Sequence, residues 1–281
     1  MFEQVTILGP GLLGASIGMA AKERGLAARV HTWSRREATR AKCQEQSWCD
    51  AVFETAVEAV VGSDLVIVCT PVETIVPLME SVAGALSQGA LVTDVGSTKV
   101  AICAGLDEFF PAGGPVFIGS HPMAGSELGG LENAMPNLFE GAACMITPSE
   151  SVEVSAKEAM SGFWEALGMF VRETTPLQHD RIVAHVSHLP HMLASALCVY
   201  IAGKNAAFGE MAGPGLRDTT RVAAGDAELW RQILESNRDE VLASIDGFID
   251  VAKGMRDALA DQDGAALKDL LEKGRLFRAG L

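Results

Sequence analysis

A chain of 281 residues, 48% hydrophobic and 21% charged, can close one large domain or two modest ones without covalent staples. Its 36 acidic and 22 basic residues give a formal charge of −14, which argues against sequence-independent binding to DNA, RNA or an anionic membrane. The six cysteines form no CxxC pair, so neither a zinc framework nor a dithiol redox motif is expected.

The N-terminal MFEQVTILG enters a strand pattern at once, leaving no room for a signal peptide. No apolar run approaches the ~18–20 residues of a membrane span, so a soluble, cytoplasmic protein is expected. Residues 4–8 read as a first strand, closed by Gly9-Pro10-Gly11, and residues 12–24 as a helix stopped by Gly25. A second strand over 29–33 and a polar helix over 35–46 follow. DLVIVCT at 64–70 is nearly all apolar, as a strand buried on both faces should be. Pro71 stands where the next helix begins, at the first helical position. Strand patterns recur at 90–94, 116–120, 143–147 and 169–173, and a helix is predicted over 154–167. Alternation of this kind implies an α/β fold with a mostly parallel, doubly wound sheet.

After Thr174-Thr175-Pro176 no strand is convincing. Helical segments near 178–203, 227–236, 238–261 and 264–278 alternate with Gly-rich breaks at 209–215 and around Gly225. The chain is therefore divided into a dinucleotide-binding domain, 1–175, and an all-α domain, 176–281. The apolar faces of the second must pack on the first, on a second copy, or on both.

Gly9, Gly11 and Gly14 form G-x-G-x-x-G between the first strand and the first helix, around Leu12 and Leu13. The first glycine permits the tight turn, the second lets a pyrophosphate approach, and the third lets helix and strand pack closely. The second strand ends in Ser34-Arg35-Arg36 instead of the Asp or Glu that accepts from an adenosine ribose hydroxyl. A hydroxyl and guanidinium groups there suit a 2′-phosphate, so NADP is expected in preference to NAD, with NAD still possible. The alternative is that the arginines only solvate a helix start.

Three segments reach the carboxyl ends of the strands, where ligands bind such sheets. They are Thr70-Pro71-Val72, the loop from Asp94 through Ser97 to Lys99, and the loop from Gly119 through His121 to Glu127. His121 is a candidate general base, with a structural histidine as the alternative. In the second domain His185, His188 and His191 recur at steps of three around Pro190. That spacing drifts around a helix and lacks a completing carboxylate, so no metal is assigned. Hydrogen bonding to a polar substrate, with Pro190 kinking the helix towards the cleft, fits better. Arg217 and Arg221, four apart, would point one way on a helix and could clamp a carboxylate. A surface ion pair with Asp218 or Asp226 is the alternative.

Together, GPGLLGAS, DVGSTK, SHPMAGSE, HDRIVAHVSHLPH and GLRDTTRVAAGD resemble the prephenate/arogenate dehydrogenase family of tyrosine biosynthesis, in register from residue 4 to about 240. The resemblance implies a Rossmann-like domain and a helical domain through which two chains dimerise. It also implies oxidative decarboxylation of a cyclohexadienol, with prephenate expected as substrate and arogenate (or both) as the alternative. It assigns His121 as the catalytic histidine and Ser97 as the serine that bonds the same ring hydroxyl and orients it. Arg217 would grip a substrate carboxylate, His191 the side chain, and Glu127 would stand at the mouth of the site. Thr70, Pro71 and Asp94 are expected beside the cofactor, and His188 and Arg221 beside the substrate. No chorismate mutase-like segment and no βαββαβ regulatory module are expected. A β-hydroxyacid or imine-type reductase would want a lysine where this chain has histidines. A non-enzymatic dinucleotide sensor would not need Ser97, His121 and Arg217 together.

Overall fold

The computed structural model describes residues 1–106, 109–110, 113–125 and 128–280. The first part alternates β1 (Phe2–Leu8), α1 (Leu12–Glu23), β2 (Ala27–Trp33), α2 (Glu37–Gln44), β3 (Ala51–Phe53), α3 (Ala56–Val60), β4 (Leu65–Val68), α4 (Val72–Val82), β5 (Leu91–Asp94), α5 (Val100–Leu106) and β6 (Val116–Phe117). These strands make one parallel sheet in the order β3-β2-β1-β4-β5-β6. Both faces are covered, which is why β4 and β5 are buried at every position. Ile7, Ile17 and Trp164 belong to the core on one face, and Ile75, Met79 and Leu106 to the core on the other.

The strand expected over 116–120 is two strands. After Ile118 the chain leaves the parallel sheet, and β7 (Gly119–Pro122) pairs antiparallel with β8 (Ala143–Thr147), which pairs in turn with β9 (Phe170–Glu173). Gly119 marks the crossing: a Cβ there would meet Thr147 Oγ1 at 2.6 Å and Lys99 Cδ at 3.0 Å. This turn carries His121 over the loop that follows β5. Between β8 and β9 lies α6 (Val154–Ala166), whose Trp164 donates through Nε1 to Ser120 Oγ at 3.0 Å. The unit β3–α3 lay outside the sequence expectation, because it is short and its strand only half-buried. Pro71 is the cap before α4, one place ahead of the expected position.

From Pro176 onwards the described chain is helical. Thr175 caps α7 (Pro176–Val183) by accepting from Gln178 N, and a π-helical turn at Ala184–His188 joins it to α8 (Leu189–Lys204). The shorter α9 (Pro214–Thr220) and α10 (Ala227–Ser236) precede the long pair α11 (Arg238–Ala260) and α12 (Gly264–Ala279). Pro190 occupies the first turn of α8, directly after the π turn.

The expectation about apolar runs also needs correction. Pro176–Lys204, 29 residues with a mean hydropathy of 1.4 in its most apolar window, is long and apolar enough to cross a membrane by length and composition. Its inner side nevertheless carries buried His179, Asp180, His188 and His191, as a helix packed within a folded domain does. Outside, Tyr200, Phe208, Met211, Leu271 and Phe277 are exposed.

Candidate active site

The parallel sheet reverses its winding between β1 and β4, and the crevice at their carboxyl ends is where such sheets hold ligands. Gly9 has φ +97°, and a Cβ on it would lie 2.9 Å from Cys69 O. A Cβ on Gly14 would lie 2.6 Å from Gly9 O, whereas one on Gly11 would meet nothing within 4 Å. Gly9 and Gly14 are thus demanded by packing, and Gly11 leaves the backbone open where α1 presents its N-terminus. Leu12 and Leu13 open that helix half-buried, with no acidic residue in its first turn. Thr70, against Gly9, has a buried hydroxyl without a partner, and Pro71 beside it is exposed. An open backbone, a helix N-terminus and an unmet hydroxyl fit a dinucleotide pyrophosphate.

At the end of β2, Ser34 Oγ accepts from Arg36 N at 3.3 Å. Arg40 Nη1 donates to Ser34 O at 2.8 Å and to Arg35 O at 3.3 Å, so the loop is pinned from below while Arg35 and Arg36 stay exposed. Asp94, expected beside the cofactor, is fully buried instead. Its Oδ2 accepts from Lys99 Nζ at 2.6 Å and Gly96 N at 2.7 Å, and its Oδ1 from Ser120 N at 3.3 Å. The carboxylate is occupied holding the loop and β7 together and has no surface left for a ligand.

His121 is 7% exposed, and its Nδ1 lies 2.8 Å from Nε2 of His179 on α7. Nδ1 of His179 lies 2.7 Å from Asp180 Oδ1. Asp180 also accepts from Lys99 N at 2.7 Å and Val100 N at 3.0 Å, capping α5 with a side chain from the helical part. With both oxygens accepting backbone N–H groups, Asp180 also accepts a hydrogen bond from His179 Nδ1–H, which keeps its proton. His179 Nε2 is then a lone pair that accepts from His121 Nδ1–H. The proton-free atom of His121 is therefore Nε2, which has no partner among the described residues. Burial, chiefly, and neighbouring His179, Lys99 and His188 push the His121 pKa well below its usual value, so the ring is neutral.

Ser97 is half-buried on the β5–α5 loop, but no hydrogen bond joins it to His121. Orientation of the His121 ring, expected of Ser97, falls to His179, which occupies its Nδ1. His188 and His191 lie buried nearby, whereas His185 is exposed. His191 stacks on Trp230 at 3.6 Å between centroids, and Trp230 meets His188 edge-on at 6.2 Å. Gly225 is required by that stack, since a Cβ there would be 2.7 Å from Trp230 Nε1. Arg217 stands exposed on α9 with Nε donating to Ala212 O at 3.3 Å. Arg221 follows on a 3₁₀ turn, Arg221–Ala224, also exposed. Asp226 caps α10 by accepting from Leu229 N. Glu127 lies outside the described residues.

His179, Asp180, Lys99, Trp230 and Asn237 were not among the expected site residues. His179-Asp180 carried a usable signal, a histidine beside a carboxylate just past a helix cap. Lys99, Trp230 and Asn237 carried none, because their roles arise only from contacts across long sequence separations.

A family model described as prephenate dehydrogenase, nucleotide-binding domain, matches residues 17–173. A second, described as prephenate dehydrogenase, dimerization domain, matches residues 175–273. A cyclohexadienyl dehydrogenase of Zymomonas mobilis is 29% identical, covering 100% of this chain and 97% of its own. The A. aeolicus prephenate dehydrogenase solved with hydroxyphenyl propionate and NAD+ superposes with a TM-score of 0.92 at 26% identity, covering 100% of this chain and 98% of that one. Synechocystis arogenate dehydrogenase superposes at 0.84 with 30% identity, covering 99% of each chain.

Proposed function

The chain belongs to the prephenate dehydrogenase family, and on that premise we propose that it oxidatively decarboxylates prephenate to 4-hydroxyphenylpyruvate, using NADP in preference to NAD. The observation that carries this reading is the Asp180–His179–His121 chain, which ends on a bare Nε2. A cyclohexadienol that loses hydride from its ring carbon needs a base for the hydroxyl proton on the same carbon, and His121 Nε2 serves. The positive charge that His121 acquires is met through His179 by Asp180. As the ring carboxylate leaves as carbon dioxide and the ring becomes aromatic, the proton returns to the oxygen. The bound dinucleotide supplies the hydride acceptor.

Gly9, Gly11 and Gly14, with Leu12, Leu13, Thr70 and Pro71, form the pyrophosphate and nicotinamide side in this reading. Ser34, Arg35 and Arg36 receive the 2′-phosphate. Ser97 contributes a hydroxyl to the ring oxygen. Arg217, with Arg221 beside it, takes a carboxylate, His191 the side chain, and Glu127 the mouth of the site. Residues 1–175 act as the dinucleotide-binding domain. Residues 176–281 bind substrate and pair two chains into a homodimer, which would cover the exposed apolar side chains outside α8 and α12. Among the described residues no cysteine is joined in a disulfide, in keeping with a reducing cytoplasm.

Arogenate is the second reading, favoured by similarity to enzymes named cyclohexadienyl and arogenate dehydrogenase. Its ammonium would want a carboxylate, whereas the keto group of prephenate wants a donor such as His191. Steady-state kcat/KM for both compounds at one pH decides between them. A tenfold preference for arogenate, about 1.4 kcal/mol in transition-state binding, would assign Glu127 to the ammonium.

A further inference from the structure

The π turn at Ala184–His188 is an expensive irregularity in an otherwise regular helical stretch, of a kind that recurs at functional sites. On a plain α-helix, nine residues would set His188 about 180° from His179. The wider turn takes up part of that rotation, and His179 and His188 are both fully buried. His185, between them, is left outside with Nδ1 at 2.9 Å from Arg181 O.

Asn237, at the start of α11, reaches back into this cluster. Its Nδ2 donates to Asp180 O at 2.8 Å, and because a carbonyl can only accept, the amide orientation is fixed. The same Nδ2 lies 3.2 Å from His188 Nδ1. Nδ1 is therefore the lone pair, and the proton of the neutral ring sits on Nε2. Burial, the largest influence on this group, pulls its pKa down to about 4, so it stays neutral at physiological pH. His188 Nε2 is buried and makes no hydrogen bond of ordinary geometry, an uncommon state for a donor in a native interior, although the Ser97 backbone lies close enough to the ring to raise its pKa against the burial. Its neighbours are those of the proposed substrate site: Trp230 edge-on, and beyond it the stacked His191, whose Nδ1 is unpartnered.

We propose that Asn237 is a positioning residue that fixes His188 as a neutral Nε2–H donor, and that this donor serves an acceptor oxygen of the bound substrate. The second half rests on the function proposed above; the first does not. A neutral donor suits the place. It can meet a keto or carboxylate oxygen without adding a charge beside His121, where a second cation would oppose protonation of the base.

Nitrogen NMR of the full-length protein labelled in histidine tests the first half, with His188 assigned by its loss in His188→Gln. His188 should show an unprotonated Nδ1 and a protonated Nε2 in the wild type. Asn237→Asp, which offers an acceptor, should move the proton to Nδ1. A wild-type proton on Nδ1, or an Asn237→Asp spectrum like that of wild type, overturns the assignment of Asn237. Kinetics test the second half. His188→Gln places an amide nitrogen near the Nε2 position and should keep the prephenate KM within about threefold, whereas His188→Asn should raise it about tenfold. Equal KM values for the two variants overturn the substrate contact. Absence of turnover with any cyclohexadienol overturns it together with the function, while the spectra still decide the role of Asn237.

Discussion

Nε2 of His179, on the first helix after Pro176, lies 2.8 Å from Nδ1 of His121, on a strand of the α/β part. The His121 ring is therefore held across the junction between the two parts of the chain. His121→Asn should lower kcat about 10²–10⁴-fold while leaving cofactor affinity unchanged, since it keeps a polar side chain but no base. Asp180→Asn should approach that loss, because an amide donor at 180 reverses the tautomers and puts the proton on His121 Nε2. Stopped-flow hydride transfer checks both, and an Asp180→Asn rate within threefold of wild type would remove Asp180 and His179 from the chemistry.

Arg217 stands exposed on α9, where its guanidinium is available to a carboxylate. Arg217→Ala should raise the prephenate KM strongly, with a smaller effect on kcat, because a charge-assisted contact disappears. An unchanged KM in steady-state assays moves the clamp to Arg221.

At the end of β2, Arg40 holds the Ser34–Arg35 backbone so that the hydroxyl and two guanidinium groups stand together. Wild type should show a higher kcat/KM with NADP than with NAD, and Ser34→Asp should reverse the order by repelling the 2′-phosphate. Fluorescence titration of both cofactors into the free protein is the check. Tighter NAD binding by wild type would mean the arginines only face solvent.

Burial lowers the pKa of His121, His179, His188 and His191 in the folded protein, that of His188 from 6.5 to about 4. Below pH 6.5 the unfolded chain binds protons that the folded chain refuses, so stability must fall as pH drops from about 6.5 towards 4. Thermal melts should show the midpoint declining steadily over that window, and less steeply in His188→Gln. A midpoint that is flat or rises between pH 6.5 and 5 contradicts the buried neutral cluster.

The alternation of strand and helix was legible because each element of the first part has its own period and stop, as DLVIVCT followed by Pro71 shows. The glycines were legible for the same local reason, and the space around each matches the duty its place in the motif suggests. Asp94 misled because a carboxylate at a strand end reads as a ligand whether or not a buried lysine five residues on claims it. The strand break at Gly119 was hidden too, since the side chains that force it, Thr147 and Lys99, come from distant segments. The π turn has no periodic signature in five residues, so the inward aim of His188 could not be read from its steps of three.

The most direct measurement is the joint yield of reduced cofactor and carbon dioxide when purified protein is mixed with prephenate and NADP. One carbon dioxide per reduced cofactor is expected, with 4-hydroxyphenylpyruvate as product and both yields abolished together in His121→Asn. Reduced cofactor without carbon dioxide, or no turnover of prephenate or arogenate with either NADP or NAD, would contradict an oxidative decarboxylation run by His121.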